Sequence, residues 1–345
     1  MSAKTYGIDF GTRVLKIYKK GEGIVYDAKN IIAVADSEKV IAIGDEAFDM
    51  YGKAPSNIDV SFPVMFGVIA DIENMLSMLN LAFEEVSKKH GSLKGADFII
   101  AAPNDITEVE KRAFFDLVQR TNVKPHRVRV VERPIADALG AGLKVTDSTG
   151  IMVVDMGADT TEISILSLGG IVLSKLIPIG GNKFDEDIIS SVKKNLNLII
   201  GSKTAERIKI ELATAIPCEE GEENRSANAY GRDVMTGLPV VKEVDSQFIH
   251  NAILEHLHSV VDSIKMILER TPPEISADII ESGVYFTGGS SNIRNLDKLM
   301  NKETGLKINI CDDCANTVVN GLGRIIDNSE LDKLAWVFKQ PTYSD

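Results

Sequence analysis

The feature that most constrains this chain is a strand–turn–strand pattern that occurs twice, once in each half of the sequence. In the first copy an apolar stretch ends at Asp9, Gly11 follows two residues later, and a second apolar stretch begins. In the second copy the apolar run 151–154 ends at Asp155, and Gly157 follows at the same spacing. Two copies of one hairpin predict two related domains, each built around its own sheet.

The residues of these hairpins suit phosphate binding. A carboxylate at the end of a strand, such as Asp155, is well placed to hold the water shell of a phosphate-bound Mg²⁺. Gly157 and the small Ala158 allow backbone N–H groups to approach phosphate oxygens. A third glycine turn, Gly288-Gly289, follows a predicted strand. One such hairpin is also typical of an ordinary turn, but two hairpins and a Gly-Gly turn together predict a nucleotide held between two related domains.

Length and charge narrow the class of protein. A chain of 345 residues exceeds one typical core, so two domains are expected. The net charge of −12 and the lack of Lys or Arg runs predict no nucleic-acid partner. No apolar run reaches the length of a membrane span and no signal peptide is evident, so we expect a cytoplasmic protein. Cys311 and Cys314 have CxxC spacing but no second pair, which favours structural thiols over a zinc or redox site.

The order of predicted helices supports an α/β fold. Apolar residues recur at helical spacing over 72–89, and Thr107 with Glu110 forms a capping box for the next helix. Pro134 marks another helix start, in a segment whose small residues suit close packing. Further helices are predicted over 246–269 and 293–300. A last helix, 316–327, is expected to fold back on the first half.

Short stretches in a fixed order along the chain carry a family resemblance. They are residues 8–12, 67–71, 107–113, 132–136 with 140–142, 153–155 with 160–162, 179–181 with 184–185, 204–209, and 287–289 with 294–297. With these motifs the chain resembles the actin superfamily and, within it, the MreB family of bacterial rod-shape proteins. The resemblance covers nearly the whole sequence.

The resemblance implies an α/β fold of two actin-like domains, each a mixed five-stranded sheet flanked by helices with a smaller subdomain. The first domain would comprise residues 1–143 plus 316–345, with its small subdomain at about 33–66. The second would comprise residues 144–315, with its small subdomain at about 183–250.

The resemblance also implies ATP and Mg²⁺ as ligands in a cleft between the domains. Asp9 and Asp155 would hold the metal through water. Glu206 and Lys209 would contact the ribose or base, and the backbone at Gly288 would lie against the nucleotide. The full set of candidate nucleotide-binding residues is Asp9, Gly11, Thr12, Arg13, Asp155, Gly157, Ala158, Asp159, Glu206, Lys209, Gly288, Gly289 and Ser290.

One departure from the family pattern concerns catalysis. The family has two acidic residues before the connecting helix, and the second helps to position the attacking water. This chain has Glu132 followed by Arg133. A guanidinium stays protonated and cannot accept a proton from water. We therefore predict a divergent member that binds ATP and hydrolyses it slowly or not at all. The alternatives are that Glu132 takes the role, or that Arg133 clamps the γ-phosphate or points away. Thr160 and Thr161 complete the catalytic candidates.

Two further departures lie in the second half. Asp159 stands where the family's phosphate loop is richer in glycine, and Ser290 replaces a glycine after Gly288-Gly289. An extra carboxylate near a triphosphate is repulsive unless it faces the metal or turns away.

The resemblance implies the partners. The chain would polymerise with itself, and with other MreB-like chains, into filaments at the inner face of the cytoplasmic membrane that organise the cell-wall elongation machinery. The candidate membrane contact is Leu93, at the predicted tip of loop 90–95, with Lys88, Lys89 and Lys94 near anionic lipid. A plain helix–strand loop is the alternative.

Two other functions share the two-hairpin cleft. A sugar or carboxylate kinase would need a carboxylate base facing an acceptor hydroxyl, and no acceptor-site motif is evident. A DnaK-type chaperone would need a large C-terminal peptide-binding domain, for which the given sequence is too short.

Overall fold

The computed structural model describes residues 4–218 and 223–338. The chain divides into two compact units. The first unit contains the described residues of Met1–Ser148, Leu166–Val172 and Ala315–Asp345. The second contains those of Thr149–Ile165 and Leu173–Cys314. The small subdomains expected near 33–66 and 183–250 remain predictions.

Strands and helices alternate along much of the chain. The strands are β1 (Thr5–Phe10), β2 (Val14–Lys19), β3 (Gly23–Lys29), β4 (Ile32–Ala35), β5 (Lys39–Ile43), β6 (Ile58–Ser61), β7 (Val64–Met65), β8 (Val68–Ile69), β9 (Asp97–Ala102), β10 (Arg127–Glu132), β11 (Ile151–Met156), β12 (Thr161–Ser167), β13 (Gly170–Ile177), β14 (Leu198–Ile199), β15 (Ser226–Asp233), β16 (Pro239–Asp245), β17 (Val284–Thr287) and β18 (Ile308–Ile310). The helices are α1 (Gly44–Met50), α2 (Ile72–His90), α3 (Glu108–Gln119), α4 (Arg133–Gly140), α5 (Gly181–Leu196), α6 (Ser202–Leu212), α7 (Ser246–Glu269), α8 (Pro273–Ser282), α9 (Leu296–Thr304) and α10 (Thr317–Asp327).

The sheet of the first unit has five strands in the order β10-β9-β1-β2-β3. Strand β1 runs antiparallel to β2 and parallel to β9, with Asp9 opposite Ala101. Alternation sends Ile8 and Phe10 into a core cluster shared with α2 and α3. Gly7, on the opposite face, lies against Leu322 of α10. The hairpin that carries Asp9 is therefore held from both faces of the sheet.

The second unit repeats this arrangement in the order β13-β12-β11-β17-β18. Strand β11 runs parallel to β17, with Asp155 opposite Thr287, and β17 runs parallel to β18. Its core brings Met152 and Val154 of β11 together with buried side chains of α5 and α7. Asp9 and Asp155 occupy equivalent places at the ends of equivalent strands, which confirms the α/β architecture with a mixed five-stranded sheet in each unit.

Three smaller sheets complete the described fold. In the first unit, β5-β4-β6 and the two-stranded β7-β8 lie among residues 32–69. In the second, β14-β15-β16 carries the polar stretch that the sequence indicated as short strands.

Helices α4 and α10 of the first unit approach at backbone distance. A β-carbon added to Gly140 would overlap the carbonyl of Thr317, and one added to Gly321 would overlap the carbonyl of Ala136. The expectations that the small residues of α4 serve close packing, and that the last helix joins the first half, are confirmed.

Most helix boundaries follow their sequence signals. The capping box at Thr107 is formed, and Pro134 lies in the first turn of α4. The helix predicted over 293–300 is misplaced, because Asn295 adopts a left-handed conformation (φ 58°) and α9 starts only at Leu296. Helix α8, which begins at Pro273, was missed.

The prediction that Leu93 contacts the membrane is wrong. Its side chain is fully buried in the core cluster of the first unit rather than exposed at a loop tip. Gly91 and Gly95 have φ values of 82° and 68°, and the Gly95 amide donates to the carbonyl of Val123 at 3.0 Å. These turns direct Leu93 inward, so it is not available to contact lipid. Among the described helices, none is both long and apolar enough to cross a bilayer.

Candidate phosphate-binding site

The first-unit hairpin is shaped by Gly11. A β-carbon there would lie 2.7 Å from the carbonyl oxygen of Val14, so only glycine fits this turn without a shift. The carbonyl of Gly11 accepts a hydrogen bond from the side-chain amide of Asn30 at 2.8 Å, and Asn30 is fully buried. The turn after Asp9 is therefore anchored from the neighbouring strand segment, a contact that the sequence did not reveal.

Asp9 is a buried carboxylate between two cations. Asp9 is only 8% exposed. Burial raises the pKa of the Asp9 carboxyl, and the positive charges of Arg133 and Lys16 oppose that rise. Lys16 is itself buried and donates to the carbonyl of Ala315. Arg133 and Lys16 thus offset part of the cost of burying the Asp9 carboxylate in the first unit.

Arg133 and Glu132 are adjacent in sequence, but their side chains contact different parts of the first unit. The guanidinium of Arg133 donates through Nη2 to the carbonyl of Phe10 at 3.3 Å, in the turn after Asp9. Glu132 instead accepts from Lys111, with Nζ 3.2 Å and 3.4 Å from its two carboxylate oxygens. Burial raises the pKa of the Glu132 carboxyl, and the Lys111 ammonium opposes the rise. The side chain at the hairpin is the arginine.

Glu132 also borders a cavity of about 390 Å³ in the first unit. The cavity is lined by Asn104, Glu132, Ile135, Gly169, Gly170, Ile171, Lys333, Leu334 and Trp336. Trp336 is fixed there by an antiparallel bridge to Val130 of β10.

Arg13 contacts aromatic rings of the first unit. Its guanidinium carbon lies 4.9 Å from the ring centre of Phe62 and 5.8 Å from that of Phe48, both within the range of cation–π attraction. Thr12, beside it, is partly exposed. Phosphate binding by Arg13 would have to compete with these ring contacts.

In the second unit, the turn after Asp155 is tied to the start of α5. The amide of Gly181 donates to the carbonyl of Gly157 at 3.0 Å, and that of Asn182 donates to Ala158 at 2.7 Å. A β-carbon on Gly180 would lie 2.6 Å from the carbonyl oxygen of Ala158. The two loops pack backbone to backbone, and glycine is what permits it.

Asp159 and Ser290, which depart from the family pattern, each have a hydrogen-bond partner in this unit. Asp159 is 7% exposed and accepts a hydrogen bond from the Asn182 side-chain amide at 2.5 Å. The hydroxyl of Ser290 donates to the carbonyl of Gly157 at 2.8 Å. Asp159 is therefore oriented by α5, and Ser290 joins the Gly-Gly turn to the hairpin after Asp155.

The threonines of the hairpin are buried. Thr161 is fully buried, and its hydroxyl donates to the carbonyl of Ile179 at 2.7 Å. Thr160 is 8% exposed, and its carbonyl accepts from the amide of Gly157 at 2.8 Å. In this arrangement the Thr161 hydroxyl orders the loop before α5.

Asp155 and Gly288 lie in contact. Gly288 has φ 79°, and a β-carbon there would overlap a carboxylate oxygen of Asp155. Gly289, in contrast, has nothing within 4 Å of such a carbon. The hairpin and the Gly-Gly turn of this unit thus meet at Asp155.

Lys209 on α6 is directed to the same region. Its Nζ donates to the carbonyl of Gly181 at 2.7 Å and lies 2.9 Å from a carboxylate oxygen of Asp185. Glu206 is one turn earlier, so both residues share a face of the helix. Lys209 therefore supports the start of α5.

The residues present can be tested against Mg²⁺. Within residues 4–218 and 223–338, no three His, Cys, Asp or Glu side chains are grouped to hold a metal ion. Mg²⁺ at a nucleotide needs only one or two carboxylates, since phosphates and waters supply the remaining ligands. Asp155 fits that requirement. Asp9 fits it less well, because burial raises the pKa of its carboxyl and Arg133 and Lys16 already act on its charge.

The sequence missed several residues that shape these sites. Lys16, Asn30 and Lys111 act in the first unit, and Asn182 and Asp185 in the second. Asp185 lies in the motif 179–181 with 184–185, which could have indicated it, and Asn182 lies directly after the glycine pair of that motif. The others are brought in by contacts between distant segments.

The fold and these sites define an actin-like protein. Residues 3–334 match the model of the MreB/Mbl protein family, and the chain belongs to this family. It is 38% identical to the cell shape-determining protein Mbl of Bacillus subtilis over 335 residues, which is 97% of this chain and 98% of that protein.

Further relatives agree. The cell shape-determining protein MreB of Escherichia coli is 37% identical over 332 residues, covering 95% of this chain and 94% of that one. The crystal structure of MreB5 of Spiroplasma citri bound to ADP has a TM-score of 0.90 at 31% identity, covering 96% of this chain and 98% of that one. The same protein bound to AMPPNP has a TM-score of 0.89. Family membership favours the cytoskeletal interpretation over the kinase and chaperone alternatives.

Proposed function

We propose that this chain binds ATP and polymerises in a nucleotide-dependent manner into filaments that take part in determining cell shape. The observation that carries the proposal lies in the second unit. There the hairpin after Asp155, the start of α5 and the turn at Gly288 meet through backbone contacts that only glycines permit. Glycine-rich turns beside a carboxylate suit a polyphosphate with its metal. The MreB5 structures, with AMPPNP and ADP, supply the nucleotide class.

The proposed binding residues are those expected from the sequence. In the first unit they are Asp9, Gly11, Thr12 and Arg13. In the second they are Asp155, Gly157, Ala158, Asp159, Glu206, Lys209, Gly288, Gly289 and Ser290. Asp155 would hold Mg²⁺ through water, with Asp9 as the weaker second candidate. Mg²⁺ would supply charge neutralisation of the phosphates.

We further propose that ATP hydrolysis is slow. Glu132 is occupied by Lys111, and Arg133 faces the turn after Asp9. The hairpin of the first unit therefore lacks the acidic group at position 133 that could accept a proton from the attacking water. The test is single-turnover ATP hydrolysis by assembled protein. We expect a rate at least tenfold below that of Escherichia coli MreB, and an equal rate would refute this part.

Filament formation is tested by sedimentation and electron microscopy. We expect polymer with ATP and Mg²⁺ and less polymer with ADP. Absence of polymer under all nucleotide conditions, in protein that binds ATP, would contradict the assembly proposal while leaving nucleotide binding intact.

The proposed location is the cytoplasm, peripheral to the inner face of the cell membrane, with the cell-wall elongation machinery and other MreB-like chains as partners. Because Leu93 is buried, lipid attraction would depend on charge. Lys88, Lys89 and Lys94 are exposed. A polybasic cluster contributes about 1 kcal/mol per charge near an anionic surface. Filaments should sediment with vesicles containing phosphatidylglycerol and not with phosphatidylcholine alone, and replacing the three lysines by Gln should reduce this binding.

A further inference from the structure

Arg133 is placed against the first-unit hairpin by the start of α4. Its Nη2 donates to the carbonyl of Phe10 at 3.3 Å, and Phe10 lies between Asp9 and Gly11 in the turn. The guanidinium is therefore held beside the segment expected to contact phosphate. Its neighbour Glu132 is directed to Lys111 and does not pair with it.

The guanidinium has an unsatisfied donor. Arg133 is only 8% exposed, yet its Nε has no hydrogen-bond partner among the described residues. A buried N–H of a charged group without an acceptor is costly, and such groups in native structures call for a ligand or another specific role. Arginine presents its N–H groups as a planar fork that matches two oxygens of a phosphate.

The charges near the hairpin are balanced in number. Burial raises the pKa of the Asp9 carboxyl, Arg133 and Lys16 oppose that rise, and Asp27 adds to it. Lys16 donates to the carbonyl of Ala315, whereas the Nε of Arg133 has no hydrogen-bond partner among the described residues. The terminal phosphate of a nucleoside triphosphate carries the most charge and three non-bridging oxygens, so it is the best match.

Building on the proposed nucleotide site, we propose that Arg133 binds the terminal phosphate of ATP directly and replaces part of the charge neutralisation that Mg²⁺ supplies. The chain then prefers ATP to ADP, and its affinity for ATP depends only weakly on Mg²⁺. Arg133 is a ligand-binding residue in this proposal. Because an arginine stands here where the family has an acidic residue, the triphosphate is retained rather than hydrolysed.

The test measures equilibrium affinities for ATP and ADP by calorimetry, with Mg²⁺ and with EDTA. The variants are Arg133→Gln, which keeps polarity without charge, and Arg133→Lys, which keeps charge without the fork. We expect Arg133→Gln to weaken ATP binding by about 10-fold to 100-fold, as for loss of a charged hydrogen-bonded pair, and to change ADP binding by less than about twofold. EDTA should weaken ATP binding to this variant more than to the wild type.

Arg129→Gln is the matched control. Arg129 is equally buried, lies on β10 four residues earlier, and pairs with Asp332 away from the hairpin. It should lower thermal stability without changing the ratio of ATP to ADP affinity. Arg133→Lys should retain part of the preference for ATP, which gives a second measurement if Arg133→Gln does not fold.

Three results would overturn the assignment: equal wild-type affinities for ATP and ADP, equal losses for both nucleotides in Arg133→Gln, or no loss at all. Failure of the wild type to bind either nucleotide would instead refute the proposed function itself. Wild-type binding of both nucleotides with an unaffected Arg133→Gln would refute only the role of Arg133.

Discussion

The ammonium nitrogen of Lys111 lies 3.2 Å from a carboxylate oxygen of Glu132, and this ion pair directs the Glu132 side chain away from that of its neighbour Arg133. Glu132 ends β10 and is bound from α3, whereas Arg133 starts α4 and contacts the turn after Asp9. Because Lys111 holds the acid, an exchange of roles between the two residues would require breaking a largely buried pair.

Replacing Lys111 by Met should destabilise the first unit in a pH-dependent manner. Without the ammonium, burial of Glu132 is unopposed, and its folded-state pKa rises further above the ordinary value of 4.5. A protein that contains an acid with a raised folded-state pKa loses stability as pH rises through that range, because the acid ionises first in the unfolded state. We expect a loss of about 2 kcal/mol at pH 8 and a much smaller loss near pH 4.5. Thermal denaturation at both pH values measures it.

The double variant Lys111→Met/Glu132→Gln is the control for this pair. It removes both charges, so it should recover most of the stability at pH 8 and lose the pH dependence. A double variant as unstable as Lys111→Met would show that packing of the lysine stem, rather than its charge, is what matters.

Adjacent glycines of the second unit should respond differently to alanine. Gly288→Ala places a β-carbon on the Asp155 carboxylate at φ 79°, so it should lower both thermal stability and ATP affinity. Gly289→Ala meets nothing within 4 Å and should leave stability unchanged. If the nucleotide lies against this backbone, Gly289→Ala alone should still weaken ATP binding. Calorimetric binding and thermal midpoints of both variants decide the matter, and unchanged ATP affinity in Gly289→Ala would place the nucleotide elsewhere.

Asn182 should tolerate loss of its side chain better than conversion to an acid. Its amide donates to Asp159, which is nearly buried. Asn182→Ala removes that bond and should cost about 1 kcal/mol. Asn182→Asp puts two carboxyl groups in contact, and two such groups cannot both ionise without penalty. The second variant should therefore be the less stable at pH 8 and should regain stability toward pH 5, as measured by thermal melts. Equal midpoints at both pH values would argue that Asp159 turns to another partner.

Alanine at Gly140 should disrupt the first unit. The added carbon would overlap the backbone of Thr317, so α4 and α10 would have to separate, at a cost of about 3 kcal/mol or more. Gly201→Ala, in the same chain but with open space around the added carbon, should change stability by no more than about 1 kcal/mol. Chemical denaturation of the two variants gives the comparison, and similar values would mean that the helices shift readily.

Local signals made much of the fold predictable. The repeated Asp-x-Gly spacing indicated two related sheets, and Asp9 and Asp155 do end equivalent strands. The capping box at Thr107 and the proline at 134 marked helix starts because they act on backbone groups within one turn.

Features decided by contacts between distant segments escaped prediction. Leu93 looked exposed because nothing near it in sequence shows that Gly95 bonds to Val123. The pairing of Glu132 with Lys111 joins two elements 21 residues apart, so sequence left the roles of Glu132 and Arg133 open. The φ of Asn295 likewise displaced the start of α9.

The backbone contact between Gly140 and Thr317 has a consequence during synthesis. The first unit is assembled from the beginning and the end of the described chain, while the second is encoded almost entirely in between. At about 5–20 residues per second, the ribosome releases α10 on the order of ten seconds after α4. Throughout that interval the face of α4 that packs against α10 lacks this partner helix. The central unit can therefore fold first, and the first unit completes its packing only when its last helix arrives.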